Sequence, residues 1–217
     1  MTRKLVPFVL LAFVASVTPA LAIPLLDFGT GSAGAGGTVT DLGGGNASGA
    51  GILIDSLVVL GTGADGTYDL SGTNGPTGDA NGTAILSFNT LTNFIRIVGG
   101  VPDFNIANGT TLLEGVFSSF SVTGSGTPAL FVFGSGSDTK DAGLLEALGA
   151  TNNVFNFSAF QLSGDVTSPF GPGYVATSSD VLNTGTPVPE TGTLLLLGSG
   201  LIGVARAAQR KLRGRSK

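Results

Sequence analysis

The sequence predicts an all-β fold, a single antiparallel domain of sandwich type, flanked by an N-terminal signal-peptide helix and a short C-terminal transmembrane helix. Three observations predict it. Between residues 23 and 187 short apolar runs alternate with polar residues at a period of two. Those runs are rich in Phe, Val, Ile and Thr, and Gly, Asn, Asp, Ser and Thr separate them. The chain has 217 residues, enough for one core that folds without cross-links.

The elements follow in order. ILIDSLVVL at Ile52 to Leu60 is the first strong strand pattern, and AILSFN places Leu86 and Phe88 on one face with Ser87 on the other. In NFIRIV, Phe94, Arg96 and Val98 alternate with Ile95 and Ile97; in VFSSFSV, Val116, Phe120 and Val122 share a face with Ser118. LFVF at Leu130 to Phe133 is apolar on both faces and reads as a central strand, while VFNFSAFQL and GYVATSSDV supply the last two. One short helix is predicted: Asp141 caps it, Leu144, Leu145 and Leu148 share a face, and Gly149 ends it. Residues 29–51 and 61–83 read as long Gly-rich loops. Phe, at 14 residues with no Trp, is the expected core filler. The sparse charge leaves strand edges free to pair with another copy or a matrix partner.

Composition removes much chemistry. With no Cys and no His, disulfides, thiolate or imidazole metal sites and Ser-His-Asp catalysis are excluded. Charge is segregated: residues 23–187 hold two basic residues against thirteen acids, a net of −11, so nucleic acid is not an expected partner. The other bases lie at the ends.

At the start, Arg3 and Lys4 precede the apolar run Leu5 to Val17, followed by Pro19 and Ala20-Leu21-Ala22. This is the order of a secretory signal peptide, residues 1–22, read by signal peptidase at Ala20 and Ala22. About 13 apolar residues, roughly 20 Å as a helix, are too short to span a bilayer. At the other end Pro187 and Pro189 keep the chain extended. An uncharged stretch, Gly192 to Ala205, then rises about 21 Å as a helix. It is a marginal anchor in the inner membrane, held by the basic tail Arg206, Arg210, Lys211, Arg213, Arg215 and Lys217 on the cytoplasmic side. Residues 23–187 are thus an exported domain held at the membrane by its tail.

The order Val188-Pro189-Glu190, LLLLGSGLIGVA and terminal Arg/Lys cluster resembles the PEP-CTERM sorting signal of exported bacterial proteins, here residues 188–217. The resemblance implies recognition by an exosortase-type membrane protease, cleavage near Pro189 and Glu190, and transfer to the cell surface or its polysaccharide matrix. Thr191 stands where that family usually has a second Pro, and Val188-Pro189-Glu190-Thr191-Gly192 differs from the sortase motif LPxTG only in its first residue. A sortase-anchored wall protein is therefore the rival reading.

Motifs inside the domain point to little chemistry. Gly61 to Gly66 matches GxGxxG, but a turn or strand follows where a phosphate site needs a helix. Ser137-Asp138-Thr139-Lys140 fits S-x-x-K without its companion elements, and Asp138 and Lys140 read as a solvated turn. Asp65, Asp69, Asp79 and Asn81 could offer oxygen ligands to Ca²⁺, at spacings of neither an EF-hand nor a β-roll. Glu114 and Glu146, the Glu residues of the domain, are the candidates for a carboxylate pair. The expected function is non-enzymatic, with no cofactor and no metal: an exported surface or matrix component in contact with exopolysaccharide. A secreted glycan-active hydrolase using two carboxylates is the alternative.

Overall fold

The structure is a computed structural model and describes residues 21–30, 36–71, 84–125, 128–151, 154–166, 173–185 and 188–189. The chain divides into two compact units, one of Met1–Ala22 with Pro187–Lys217 and one of Ile23–Thr186. In the first, strand β1 (Leu21–Ala22) pairs antiparallel with β13 (Val188–Pro189), matching Leu21 to Pro189 and Ala22 to Val188. Apart from these strands, the two expected terminal helices lie outside the described residues. Among the described residues no helix is long and apolar enough to cross a membrane.

The second unit is almost entirely antiparallel β. Its strands are β2 (Leu25–Gly29), β3 (Gly36–Gly43), β4 (Asn46–Ile54), β5 (Ser56–Leu60), β6 (Gly66–Asp69), β7 (Ala84–Asn89), β8 (Phe94–Val101), β9 (Ile106–Thr123), β10 (Ala129–Lys140), β11 (Phe155–Val166) and β12 (Gly173–Gly185). A 3-10 turn at Pro102–Phe104 and a helix α1 (Ala142–Ala147) complete it. Eight strands close into a barrel in the order β3-β4-β7-β8-β9-β10-β11-β12, with β12 returning to β3. Along one edge β12 gives Gly173 to Ala176 to β3 and Asp180 to Thr184 to β2, so β2, β5 and β6 branch off as a short extension.

The sandwich expectation is thereby corrected to a closed barrel. β11 is bonded to β10 on one side and to β12 on the other, so no gap separates two layers. Alternation reports which face of a strand meets the core; it does not report whether the first and last strands meet. Closure also removes most of the free edges the sparse charge suggested.

The interior takes the apolar side chains, including Leu26, Phe28, Ile52, Leu86, Ile97, Val132 and Val181. Six Phe are buried among the described residues, fewer than composition suggested. Phe88, Phe117, Phe157 and Phe160 form one cluster, with ring centroids 5.1 to 5.6 Å apart. Glycines make room for it. A Cβ on Gly134 would stand 2.6 Å from the Phe117 ring, and one on Gly136 would stand 2.5 Å from the Phe157 ring. Gly49 lies under Phe88 in the same way.

Three further expectations change. The Gly-rich segment 29–51 carries most of the hairpin β3–β4, because Val39 and Ala47 alternate inward and Gly49 accepts the Phe88 ring. The segment 61–83 contains β6, while residues 72–83 lie outside the described residues. Val116 does not share a face with Phe120 and Val122: β9 bulges at Ser118, which has no partner between Phe117↔Gly136 and Ser119↔Ser135, so the parity flips. Helix α1 forms as expected, with the Asp141 carboxylate accepting the Leu144 N–H at 2.9 Å, Leu144 and Leu148 buried, and Gly149 at φ 67°.

Gly136→Ala should lower the unfolding free energy by about 1–3 kcal/mol, read as a lower urea midpoint. An unchanged midpoint would contradict the close fit of ring to backbone.

Candidate functional site

Strand parity decides where each candidate side chain goes. On β10 the alternation Leu130, Val132, Gly134, Gly136 faces inward, and continuing it places Asp138 and Lys140 inward as well. Their side chains are 0 and 1% exposed. The solvated turn expected for them is therefore wrong: both belong to a strand. Ser137, three residues from Lys140, is exposed on the opposite face, so the S-x-x-K arrangement does not bring hydroxyl and amine together.

Lys140 instead meets other partners. Its Nζ donates to Asp138 Oδ1 at 2.6 Å and to Asn183 Oδ1 at 2.8 Å, and lies 5.6 Å from the centre of the Phe155 ring. Asn183, fully buried on β12, donates through Nδ2 to the carbonyls of Val181 (2.9 Å) and Leu26 (3.3 Å). Asp138 Oδ2 is buried with no hydrogen-bond partner. Burial pushes the Lys140 ammonium down to about 8, against the opposing pull of Asp138. Burial likewise raises Asp138, in spite of Lys140. Sequence reading missed this trio. The available signal was the parity of β10 and the fact that Lys140 is one of two bases in an acidic domain.

Glu114 and Glu146, the candidates for a carboxylate pair, do not meet. Glu114 is exposed on β9 and faces Arg96 (3.5 Å), and Glu146 is exposed on α1. A different pair forms on the outer face, where Asp27 of β2 lies against Asp180 of β12. Burial, then a hydrogen bond from and the charge of Asp180, push Asp27 up to about 7.

In the GxGxxG segment the Asp65 carboxylate accepts the Thr62 N–H at 2.8 Å, and strand β6 follows, so no helix N-terminus faces a phosphate. Asp69 accepts the Ser71 N–H at 2.7 Å. Asp79 and Asn81 lie outside the described residues, and among the described residues no acidic group of three could hold a metal. Of the processing residues, Ala22, Val188 and Pro189 lie in the β1–β13 pair. Ala20, Glu190, Thr191 and the basic tail lie outside the described residues.

The outer face of β9, β10 and β11 is an exposed surface with aromatic and hydroxyl side chains. Register sets Ser121, Phe133, Gln161 and Asp180 side by side, and Thr123, Phe131, Ser163 and Ser178 in the next row. Phe131 and Phe133, on the expected central strand, are 42 and 43% exposed. A shallow groove of about 360 Å³ runs here, lined by Ser119, Ser121, Phe133, Ser135, Ser158 and Gln161 among others, with no charged side chain. Ser119 and Ser135 hydroxyls are 2.9 Å apart.

Compared with models of known families, with curated proteins and with solved structures, the chain finds no match. The resemblance of its tail stands on the residues quoted for it.

Asp27 titrates near 7 when folded against 3.8 unperturbed, so the folded state binds more protons between those values. Stability should therefore fall as pH rises from about 4 to about 7, with Asp138 acting in the same direction. Melting temperature measured across this window should decline, and Asp27→Asn should flatten the decline; a variant with an unaltered slope would contradict the assignment.

Proposed function

We propose that this chain is an exported surface or extracellular-matrix protein, non-enzymatic, delivered by its N-terminal signal peptide, held at the inner membrane by its C-terminal segment and processed near Pro189 and Glu190 by an exosortase-type protease. The observation that carries the reading is where the compact unit stops. It runs from Ile23 to Thr186, so cuts after Ala22 and near Pro189 leave every barrel strand intact. Among the described residues, the pairing such cuts would remove is β1 with β13.

The two ends of that unit also emerge together, since the Pro24 carbonyl accepts the Gly185 N–H at 2.7 Å. The side formed by β9, β10 and β11 suits a neutral polysaccharide. Aromatic faces stack on the apolar face of a sugar ring, and Ser hydroxyls with Gln161 exchange hydrogen bonds with its hydroxyls. An acidic domain with an uncharged groove disfavours polyanions.

Two measurements test this. Mass spectrometry of the protein from an exosortase-bearing host should find a mature chain that begins at Ile23 and ends near Pro189 or Glu190, and deletion of Arg206 to Lys217 should release it uncut. An end at Thr191 would assign it to sortase instead, and a full-length cytosolic chain would contradict export. Phe133→Ala should weaken retention on the host's neutral matrix polysaccharide roughly tenfold, the loss of about 1.4 kcal/mol of ring contact; equal retention would remove the groove from the account.

A further inference from the structure

We propose that Lys140 and Asn183 join in an intramolecular isopeptide bond, formed within the folded barrel with Asp138 as the proton carrier. The inference stands on the buried trio and is independent of export or sorting. An amine, a carboxamide and a carboxyl group meet inside the barrel, with Lys140 Nζ 2.8 Å from Asn183 Oδ1 and 2.6 Å from Asp138 Oδ1. The Asn183 carbonyl carbon is one C=O bond, about 1.2 Å, from that oxygen, so the amine is close to attack range. All three side chains are shut off from water.

Desolvation disfavours both charges of the Lys140–Asp138 pair and shifts the shared proton toward Asp138. Transfer of that proton gives a neutral amine beside a carboxylic acid, and the neutral amine is the reactive form of a lysine nucleophile. The Nζ lone pair attacks Asn183 Cγ, and the carbonyl electrons move to Oδ1. The Asp138 carboxylic acid gives its proton to Nδ2, and the carboxylate so formed takes one from Nζ. The Cγ–Nδ2 bond then breaks, its electron pair leaving with ammonia as the carbonyl reforms. Amine plus carboxamide gives a secondary amide plus ammonia, and no oxidant, metal or cofactor is consumed. The carbonyls of Val181 and Leu26, which accept from Nδ2, hold the departing nitrogen in place.

Two features of the fold gain from the bond. A buried ion pair is costly, and here Asp138 Oδ2 has no partner; amide formation removes the ammonium, and Asp138 remains a neutral acid. The bond also ties β10 to β12 where β11 does not bridge them, because β10 and β11 pair only through Ala129–Gly134 and Phe160–Asp165.

The test uses the full-length protein, purified folded, then denatured and digested with trypsin. Between Arg96 and Arg206 the one basic residue is Lys140. The expected result is a fragment starting at residue 97 that stays uncut after Lys140 and is lighter by one ammonia. Lys140→Arg should restore cleavage and full mass. Asp138→Ala, shown folded by circular dichroism, should leave most chains unlinked. A folded wild-type protein that is cut at Lys140 and carries its full mass would overturn the proposal, and undiminished linkage in Asp138→Ala would overturn the role of Asp138.

Discussion

Phenylalanine rings lying on glycine backbone hold this barrel together. A small closed ring has limited interior width, and four clustered Phe fill it only because facing positions lack a Cβ. Gly134 and Gly136 on β10 receive Phe117 and Phe157, and Gly49 on β4 receives Phe88. The ring cluster then links β7, β9 and β11 across the interior through edge-to-face and tilted contacts. The high glycine content is in this respect a packing device as well as a source of turns. The apolar interior and the Ser- and Thr-bearing outer face are the reverse of the arrangement in transmembrane barrels, which turn an apolar band outward.

The same tight interior sets the chemistry of the polar groups left inside it. Lys140, Asp138 and Asn183 sit where β10 and β11 cease to pair, a seam that apolar side chains leave to polar ones. Away from water neither charge is well supported, so moving the proton from Lys140 to Asp138 costs less than it would in water, and an amine is placed beside a carboxamide. On the outer face the Asp27–Asp180 contact has a simpler consequence, a proton held in the folded state that the unfolded chain would release.

Much of the fold was legible in the sequence. Period-two alternation located β7, β8 and the core of β10, β11 and β12, and the Asp141 cap with its leucine stripe located α1. Legibility failed where side-chain parity depends on something remote. The bulge at Ser118 reverses the face of Phe120, and nothing near Ser118 marks it. Strand β3 and the first part of β4 looked like loop because their inward positions are Val39, Ala47 and Gly49, too small to announce a core that Phe88 completes from another strand. Closure is a property of strand ends far apart in sequence, β3 and β12, and so is the meeting of Lys140 with Asn183. The processing signals proposed for the two ends are read from local patterns of charge, apolarity and small residues.

Barrel, seam and accessible outer face all depend on the ring being shut at β11. Amide hydrogen exchange along Phe160 to Asp165 tests this directly, because successive N–H groups of an antiparallel strand point to opposite neighbours. A closed ring predicts slow exchange at every one of these amides, those facing β10 and those facing β12 alike. Fast and slow amides alternating along the strand would mean that one side of β11 is a free edge, and the closed barrel would be contradicted.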